Sequence, residues 1–485
     1  MCDTGESDRN AITINKLPDD VLLTIFYFYR RDQDYSEPCS NISQWGSLKW
    51  HLLVHICHRW RQIVFASPRR LNLQIPCTFR TPVKEHLGIW PAFPIVVVYE
   101  DRADVAPIGE DNILAALRHT DRVCEFRFAL SGSQLEKMAA VMQEPFPVLT
   151  CLSISSTYQD LPDLPPGFLG ESAPSLQEIS LSGVPYSALP TLLLSTRGLF
   201  KLDLFDIPSN GYFSPEAIAA SLAALPRLQM LVIGFRSATS RPDRIRPQQP
   251  PVTRTVLPSL IFFIFRGTSE YLEDLVSRID SPFLVHISIF YMHQLLRFHV
   301  PQLSKFIDRS VGPKLSKCRH AEVRFALGLI AFKFCRRANE LDQDAHLSTT
   351  RIFYEGMNWL VTTISQVLSD LPAALDNVVH LELKGDYEEY PGPELEWTSL
   401  LYQFSSVKTL FVHRELAKHV ALALDDITDE MATEVLPSLE LVCLEGEWAP
   451  LLDKFAATRR DSDRPVTTVN TIKEFRERRE PYISQ

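Results

Sequence analysis

The chain has 485 residues, of which 45% are hydrophobic and 22% charged, and its formal net charge at pH 7 is -10. A chain of this length and apolar content can bury a large core, which excludes a wholly disordered protein and predicts two or three domains or one long repeat array. The excess of negative charge argues against a whole-chain binder of nucleic acid or of an anionic membrane, because such a protein needs a basic face to neutralise phosphates.

Cysteine usage and hydropathy predict the compartment. Nine cysteines are scattered along the chain without a C-x-x-C pair, and the start MCDTGESDRN has neither the basic nor the apolar segment of a signal peptide. The most apolar run, LIFFIF at residues 260–265, is far shorter than the roughly 18 residues that span a bilayer. We therefore expect reduced thiols, no membrane partner and a location in the cytoplasm, the nucleus or both.

Residues 1–13 are expected to be disordered, and residues 14–73 to form a small helical module. In LPDDVLLTIF, which starts at Leu17, Pro18 suits the first turn of a helix, and Asp19 and Asp20 favour its positive end. Apolar spacing gives this helix one apolar face, made of Leu17, Val21, Leu22, Ile25 and Phe26. A second predicted helix carries a similar face, made of Leu53, Ile56, Cys57, Trp60, Ile63 and Val64.

From residue 90 to residue 446 a triplet of apolar residues recurs at i, i+3 and i+5, about every 20 to 30 residues. The last two members of a triplet are two positions apart and therefore share one face of a strand. Clear copies begin at Leu149, Leu176, Leu199, Leu228, Leu260, Leu284, Val378, Val407 and Leu439, weak copies begin at Phe93 and Val123, and two hidden copies are expected near Val323 and Phe353.

Between the triplets, residues 133–142, 214–225 and 269–279 have the apolar spacing of helices. A Ser cap and a Pro open the helix at residues 214–225. A strand and helix of this length cannot bury an apolar face alone and must stack on neighbouring units. The pattern predicts an α/β solenoid with a parallel sheet along its concave side, followed at residues 447–485 by a cap and tail.

The two patterns together resemble a known family. The L-x-x-L-x-L spacing resembles leucine-rich repeats, and the opening helices look like an F-box. The combination is similar to F-box/leucine-rich-repeat substrate receptors of the fungal type, although the connection at residues 30–47 is longer and more polar than is usual. The F-box resemblance rests on Leu17-Pro18, Val21-Leu22, Ile25-Phe26, Ile56-Cys57, Arg59-Trp60 and SPRRLNL at residues 67–73.

This resemblance implies the substrate-recognition subunit of an SCF-type cullin-RING ubiquitin ligase. The helices would bind a Skp-type adaptor, and through it a cullin, while the solenoid would bind a protein substrate. In the alternative, the helices merely cap the solenoid and the protein is an interaction scaffold that is not linked to ubiquitination. The adaptor-binding residues that the resemblance implies are Leu17, Pro18, Val21, Leu22, Ile25, Phe26, Ile56, Cys57 and Trp60.

Strand alternation predicts a second site. If the triplet residues face the core, the positions between and beside them lie on the concave face. In the middle strands these positions are apolar and are expected to hold an apolar segment of the substrate, unless a loop or the tail at residues 458–485 covers them. The predicted patch consists of Phe205, Met230, Val232, Phe262, Ile264 and Phe290, with Arg266, His286 and Ser288 among them.

No feature of the sequence predicts catalysis. G-x-S-x-G, G-x-G-x-x-G and P-loop motifs are absent. His51, His55 and His58 are spaced to share a helix face, but no H-E-x-x-H motif or cysteine pair accompanies them, so we expect no metal site. We also expect no enzyme activity and no cofactor. The arginine- and proline-rich stretch at residues 236–256 is expected to be an exposed insertion, with contact to a phosphate or an acidic partner left open.

Overall fold

The fold is α/β with a large, mainly parallel sheet, as the recurring triplets predict. The chain divides into two units, Met1–Ile154 and Ser155–Gln485, so the predicted repeat array is shared between both. The computed structural model describes residues 14–31, 50–78, 82–100, 108–156, 161–237, 253–292, 301–315, 317–326, 329–335, 348–354, 368, 375–385, 397–427 and 431–469. The predictions for residues 1–13, the connection 32–47, most of the loop 236–256 and the tail 470–485 lie outside the described residues.

In the first unit, helices come first and alternating strands and helices follow. A 3-10 turn at Ile14–Lys16 precedes α1 (Asp19–Arg31), α2 (Trp50–Ile56) and α3 (His58–Ala66). The remaining elements in chain order are β1 (Ile75–Thr78), α4 (Val83–Ile89), β2 (Ile95–Glu100), α5 (Ile108–Leu117), β3 (Val123–Ala129), α6 (Gly132–Val141) and β4 (Cys151–Ser155), which ends at the boundary between the units. The strands β1, β2 and β3 pair in parallel.

The second predicted helix is broken at Cys57. This residue has extended backbone angles (φ -158°, ψ 168°) and is the N-cap of α3. Its Sγ accepts a hydrogen bond from the backbone N–H of Trp60 at 3.5 Å. The prediction of one helix through this stretch is therefore wrong, because apolar spacing continues across a one-residue interruption and does not reveal it.

The register of β2 corrects the predicted face of that strand. The first weak triplet predicts that Val96 and Val98 face the same side as the core residues of β3. Instead, Val97 aligns with Phe126, and Val96 and Val98 form a separate buried cluster with Cys124. The run IVVVY is apolar at every position, so an alternation of polarity cannot identify its core face.

The second unit continues the alternation of strands and helices. Its elements are β5 (Glu178–Ser182), α7 (Leu189–Leu193), β6 (Lys201–Ile207), α8 (Pro215–Leu222), β7 (Met230–Phe235), β8 (Thr255–Val256), β9 (Phe262–Gly267), α9 (Ser269–Arg278), β10 (Ile279–Asp280), β11 (His286–Tyr291), α10 (Pro301–Leu315), β12 (His320–Ala326), β13 (Leu329–Cys335), β14 (Ser348–Tyr354), β15 (His380–Gly385), α11 (Trp397–Leu401), β16 (Thr409–Val412), α12 (Arg414–Asp425), β17 (Leu441–Leu444), α13 (Asp453–Asp461) and β18 (Thr467–Val469). The 3-10 turns are Phe168–Glu171, Ser209–Gly211, Met431–Thr433 and Ala449–Leu452. The strands are ordered β5-β6-β7-β9-β11-β14-β13-β12-β15-β16-β17-β18, and β8 pairs with β10 in a separate two-stranded sheet.

The two hidden strands exist, but their order in the sheet is reversed. Val323 lies in β12 and Phe353 in β14, as predicted. However, β11 pairs in parallel with β14, and β12 pairs in parallel with β15. The strand β13 lies between them and is antiparallel to both. The parallel sheet is therefore interrupted by an antiparallel insertion that the triplet spacing does not predict.

The core of the second unit consists of the triplet residues and the apolar faces of the helices. Residues such as Leu202, Ile233, Phe263 and Ile289 are completely buried. The predicted cap of α8 is confirmed, because the Ser214 hydroxyl accepts a hydrogen bond from the backbone N–H of Ala217 at 3.1 Å and Pro215 opens the helix. The predicted helices at residues 133–142 and 269–279 correspond to α6 and α9.

A buried arginine links α13 to the segment that precedes β17. Arg459 in α13 has no exposed surface, and its guanidinium N–H groups donate to backbone carbonyls at 3.2 to 3.4 Å. A guanidinium offers five donors, so it can bind several backbone carbonyls of the segment before β17 at once. The accepting carbonyls belong to Ala432, Val435, Leu436, Pro437 and Leu439.

The cysteines that the structure describes are free thiols, as the scattered spacing predicts. Burial raises the pKa of Cys77 to about 12. Burial likewise raises the pKa of Cys124 to about 12, with a further contribution from the nearby charge of Glu125. Both groups therefore stay protonated at neutral pH and contribute to packing as small apolar side chains.

Candidate protein-interaction surfaces

The apolar residues of α1 lie on two sides of the helix. Leu22 and Phe26 are 0% and 1% exposed, whereas Val21 and Ile25 are 39% and 40% exposed. Each step along a helix rotates a side chain by about 100°, so the pairs Val21-Leu22 and Ile25-Phe26 divide between a buried and an exposed side. The predicted single apolar face is therefore corrected to two faces.

The exposed side continues along α1 as a stripe. Phe28 and Tyr29 are 59% and 40% exposed, and with Val21 and Ile25 they recur at the helical spacing that places side chains on one face. We call these four residues the α1 stripe. Ile56, at the end of α2, is also 59% exposed. Several large apolar groups exposed together are typical of a surface that a partner covers.

The other predicted adaptor residues support this stripe from beneath. The rings of Phe26 and Trp60 have centroids 4.7 Å apart, and Trp60 is 8% exposed. Leu22, Phe26 and Trp60 are thus buried within the first unit. They hold α1 against α3 and are not part of the exposed area, while Cys57 is half-buried as the cap of α3.

An ion pair fixes the start of α1 against α3. The Arg59 guanidinium donates to Asp19 Oδ1 at 2.6 Å and to the backbone carbonyl of Leu17 at 2.6 Å. The predicted pair Leu17-Pro18 therefore lies where α1 is tied to its neighbour, with Leu17 half-buried and Pro18 exposed. Charge-assisted hydrogen bonds of this kind are directional, which stabilises the orientation of the stripe.

The second candidate surface lies on the sheet of the second unit. Along each strand, the buried triplet residues alternate with residues on the opposite side of the sheet. We call this opposite side the open face. Strand register aligns its residues in rows across β6, β7, β9 and β11. One row is Lys201, Met230, Phe262 and His286, the next is Asp203, Val232, Ile264 and Ser288, and a third contains Gly234, Arg266 and Phe290.

The predicted apolar residues come together in these rows, but they differ in exposure. Phe205 and Phe262 are 38% and 41% exposed, whereas Val232 is 5% exposed. Met230, Ile264 and Phe290 are half-buried. Val232 thus forms a floor and does not contact solvent, which corrects its predicted role as a direct contact. We call the six residues together the apolar patch.

A strained bulge displays Phe205. The pairing of β6 with β7 shifts between Leu204 and Ile207, and Asp206 has a positive φ of 52°. Such bulges commonly redirect a side chain, and backbone strain of this kind is typical of functional sites. A Cβ at Gly234 would lie 3.0 Å from the Phe205 ring, so glycine at this position leaves room for the ring.

Arg266 and His286 contact the two exposed phenylalanine rings of the patch. The Arg266 guanidinium lies 5.4 Å from the centroid of the Phe205 ring and forms an ion pair with Asp206 at 2.8 Å. The His286 ring stacks on Phe262 with a centroid distance of 4.5 Å and an interplanar angle of 10°. These contacts reduce the freedom of two exposed rings, which lowers the entropy cost of binding to them.

On later strands the open face is polar and paired within the chain. Glu322 in β12 is 2% exposed and forms ion pairs with Lys384 at 2.8 Å and Lys333 at 3.9 Å. Glu382 contacts Lys384 at 3.3 Å and His413 at 2.8 Å. Burial alone would raise the pKa of Glu382, but the hydrogen bond from His413 and the charge of Lys384 outweigh burial and lower this pKa below its ordinary value.

A stacked pair of imidazoles also belongs to this polar part. The rings of His320 and His380 stack 4.5 Å apart, and His380 Nδ1 lies 2.6 Å from the Thr409 hydroxyl. Beyond them, an apolar cluster is also buried. Its members come from three neighbouring strands and could have been found only from their pairing: Phe411, Leu441, Cys443 and Val469.

The remaining predictions concern a metal site, a membrane span and the arginine-rich stretch. Within the described ranges, no group of three His, Cys, Asp or Glu side chains could hold a metal ion. In the same part of the chain, no helix is long and apolar enough to cross a membrane. The described ends of the arginine-rich stretch bind to the second unit itself, since Arg254 donates to the Ser277 carbonyl at 3.1 Å and Arg236 to the Gly183 carbonyl at 3.4 Å.

Comparisons with known proteins give structural neighbours but no sequence match. No protein-family model matches the sequence, and no curated protein matches it. The chain is similar to the leucine-rich repeat-containing protein LegL7 from Legionella pneumophila, with 11% identity and a TM-score of 0.27 over 74% of this chain and 96% of that one. A likeness at this level of identity and TM-score shows nothing about the function of this chain.

Proposed function

We propose that this protein is the substrate-recognition subunit of an SCF-type cullin-RING ubiquitin ligase. The observation that carries the proposal is the α1 stripe, in which Val21, Ile25, Phe28 and Tyr29 are exposed above a buried helical core. These helices resemble an F-box, whose partner is a Skp-type adaptor. Apolar and aromatic side chains at the centre of an interface dominate binding energy, which is the role the stripe would have.

The sheet of the second unit supplies the other half of the proposal. Its open face carries an apolar patch with a polar surround, the composition expected of a protein-binding surface. In this role the chain needs no catalytic residues, because it brings a substrate close to enzymes recruited through the adaptor, and proximity alone accelerates transfer. We therefore propose a binding protein that is not itself an enzyme.

One observation favours the alternative of a scaffold with a helical cap. Trp50 in α2 is 4% exposed, and its ring centroid lies 5.2 Å from that of Trp90 and 5.7 Å from that of Phe93. These contacts join the helices to the connection between α4 and β2 in the same unit, as a cap would. A cap, however, does not require the exposed α1 stripe, and this difference allows a test.

The test is co-purification of the full chain with a Skp-type adaptor. The double substitution Val21→Asp, Ile25→Asp should abolish recovery of the adaptor, because two desolvated charges would enter the interface. The thermal unfolding temperature should change little, since both positions are about 40% exposed. The matched control is Ile89→Asp, at a position in the same unit that is 71% exposed and outside the stripe, and it should leave recovery unchanged.

Three outcomes would reject the proposal. If the double variant retains the adaptor, or if the wild-type chain never recovers it, the F-box assignment fails and the scaffold alternative is favoured. If the double variant loses the fold of the first unit as well, a second variant, Leu17→Ala, Pro18→Ala, tests the same interface at the start of α1 without introducing charge. Adaptor recovery by that folded variant at the wild-type level would likewise reject the assignment.

A further inference from the structure

Charge is distributed unevenly around the apolar patch. On the side of β5 and β6, the open face carries the carboxylates Glu178, Asp203 and Asp206 and one cation, Lys201. Asp206 is paired with Arg266 of β9, which leaves Glu178 and Asp203 to Lys201. On the side of β9 and β11, it carries Arg266 and the imidazole of His286. The patch therefore has an acidic flank on β5 and β6 and no carboxylate among the described open-face residues of β9 and β11.

Asp203 is the carboxylate of this flank that adjoins the patch floor. Register places it beside Val232, which is beside Ile264. Burial raises the pKa of Asp203, and the charge of Lys201 and a hydrogen bond from Ser180 only partly offset the effect. The contacts within the chain therefore do not fully stabilise the ionised Asp203 carboxylate. A cation on a partner would gain a favourable interaction with it.

The size of the patch limits what can bind. The patch spans four strands, and neighbouring strands lie about 4.8 Å apart, so its width is roughly 14 Å. A stable interface between folded proteins uses about 20 to 30 residues on each side. Six apolar residues fall well short of that number, and they match a short extended segment better than a second copy of this chain or a folded domain.

We propose that the apolar patch binds an extended segment of a partner protein in which a large apolar side chain lies within two residues of a lysine or arginine. The apolar side chain packs on Phe262 and Ile264 above the floor formed by Val232, and the cation meets Asp203. This inference rests on the proposed role of the sheet as the substrate-binding surface, and it specifies the chemistry of the substrate segment.

The test is selection of peptides on the purified full chain, with a phage-displayed library of random 12-residue peptides as the probe. Enriched peptides should combine a large apolar residue with a nearby Lys or Arg. Phe262→Ala should weaken binding of the best peptide at least tenfold, and Asp203→Asn should remove the preference for the cation while the apolar preference remains. The matched control is Phe283→Ala, at a turn position that is 60% exposed and outside the patch, and it should bind as the wild type does.

Each other outcome overturns the inference. Peptides whose binding is the same with Phe262→Ala would place recognition elsewhere, and enrichment of acidic peptides would contradict the role of Asp203. Peptide binding only after deletion of residues 470–485 would identify the chain's own tail as the occupant, and self-association that Phe262→Ala abolishes would identify a second copy. Thermal unfolding of each variant confirms that it is folded. No adaptor is present in the assay, so its result is independent of the adaptor co-purification.

Discussion

The open face of the second unit contains two regions that use the same strand register differently. On β12 and β15, Glu322, Lys384 and Glu382 satisfy one another, and Glu322 is 2% exposed. On β6 and β9, Phe205 and Phe262 remain 38% and 41% exposed. A buried charge without a partner is costly, so the first region contributes to the fold. The second region leaves apolar surface in water, and we infer that a partner completes it.

The largest expected effect is in the polar region. Glu322→Ala should lower the free energy of unfolding by about 3 kcal/mol, because it leaves Lys384 and Lys333 without their buried anion. Urea unfolding would measure this loss. The control is Lys408→Ala, which breaks an exposed ion pair with Glu440 and should cost less than about 0.5 kcal/mol. Equal effects of the two substitutions would contradict the structural role of the buried Glu322 carboxylate.

An intermediate effect separates two neighbours within the apolar patch. Val232 is 5% exposed, so Val232→Asp should cost roughly 2 kcal/mol or more through an unpaired buried carboxylate. Ile264 is aligned with it on the next strand but is half-buried, so Ile264→Asp should cost less than about 1 kcal/mol while it abolishes partner binding. Denaturant unfolding and proximity labelling of partners check both parts, and unfolding of the Ile264 variant would show that the patch belongs to the core.

The smallest expected effect is a pH dependence of the polar region. The pKa of Glu382 in the folded protein lies below its ordinary value of 4.5, so its ionised form stabilises the fold. This contribution is complete above the ordinary pKa and is lost as the pH falls through the lower folded pKa. Glu382→Gln should therefore lose less stability than the wild type when the pH falls below 4.5. Parallel acid-unfolding curves for the two proteins would contradict this account.

The sequence predicted the positions of the strands better than their direction or the face that each turns to the core. Alternation identified the core residues of β6, β7, β9 and β11, because polar residues or a recurring Leu mark those strands. It was wrong for β2, where IVVVY offers no polar position. It also gave no warning of the antiparallel β13, since the direction of a strand depends on which neighbours it pairs with and not on its own period.

The burial of individual side chains could also not be predicted from the sequence. The apolar patch was predicted residue by residue, but the burial of Val232 results from packing between two neighbouring strands. On α1, the sequence identified the apolar residues but not their division into buried Leu22 and Phe26 and exposed Val21 and Ile25. Arg459 drew no attention because most of its acceptors are backbone carbonyls 20 to 27 residues away.

The most direct test of the central claim, that one chain joins an adaptor to a substrate, is quantitative proximity labelling in cells. Three forms would be compared: the wild type, the Val21→Asp, Ile25→Asp variant and the Phe262→Ala variant. The account predicts that Phe262→Ala loses the substrate and keeps the adaptor, while the α1 variant loses the adaptor and keeps the substrate, whose abundance rises. Simultaneous loss of both partners in either folded variant, or absence of the adaptor from the wild-type sample, would contradict it.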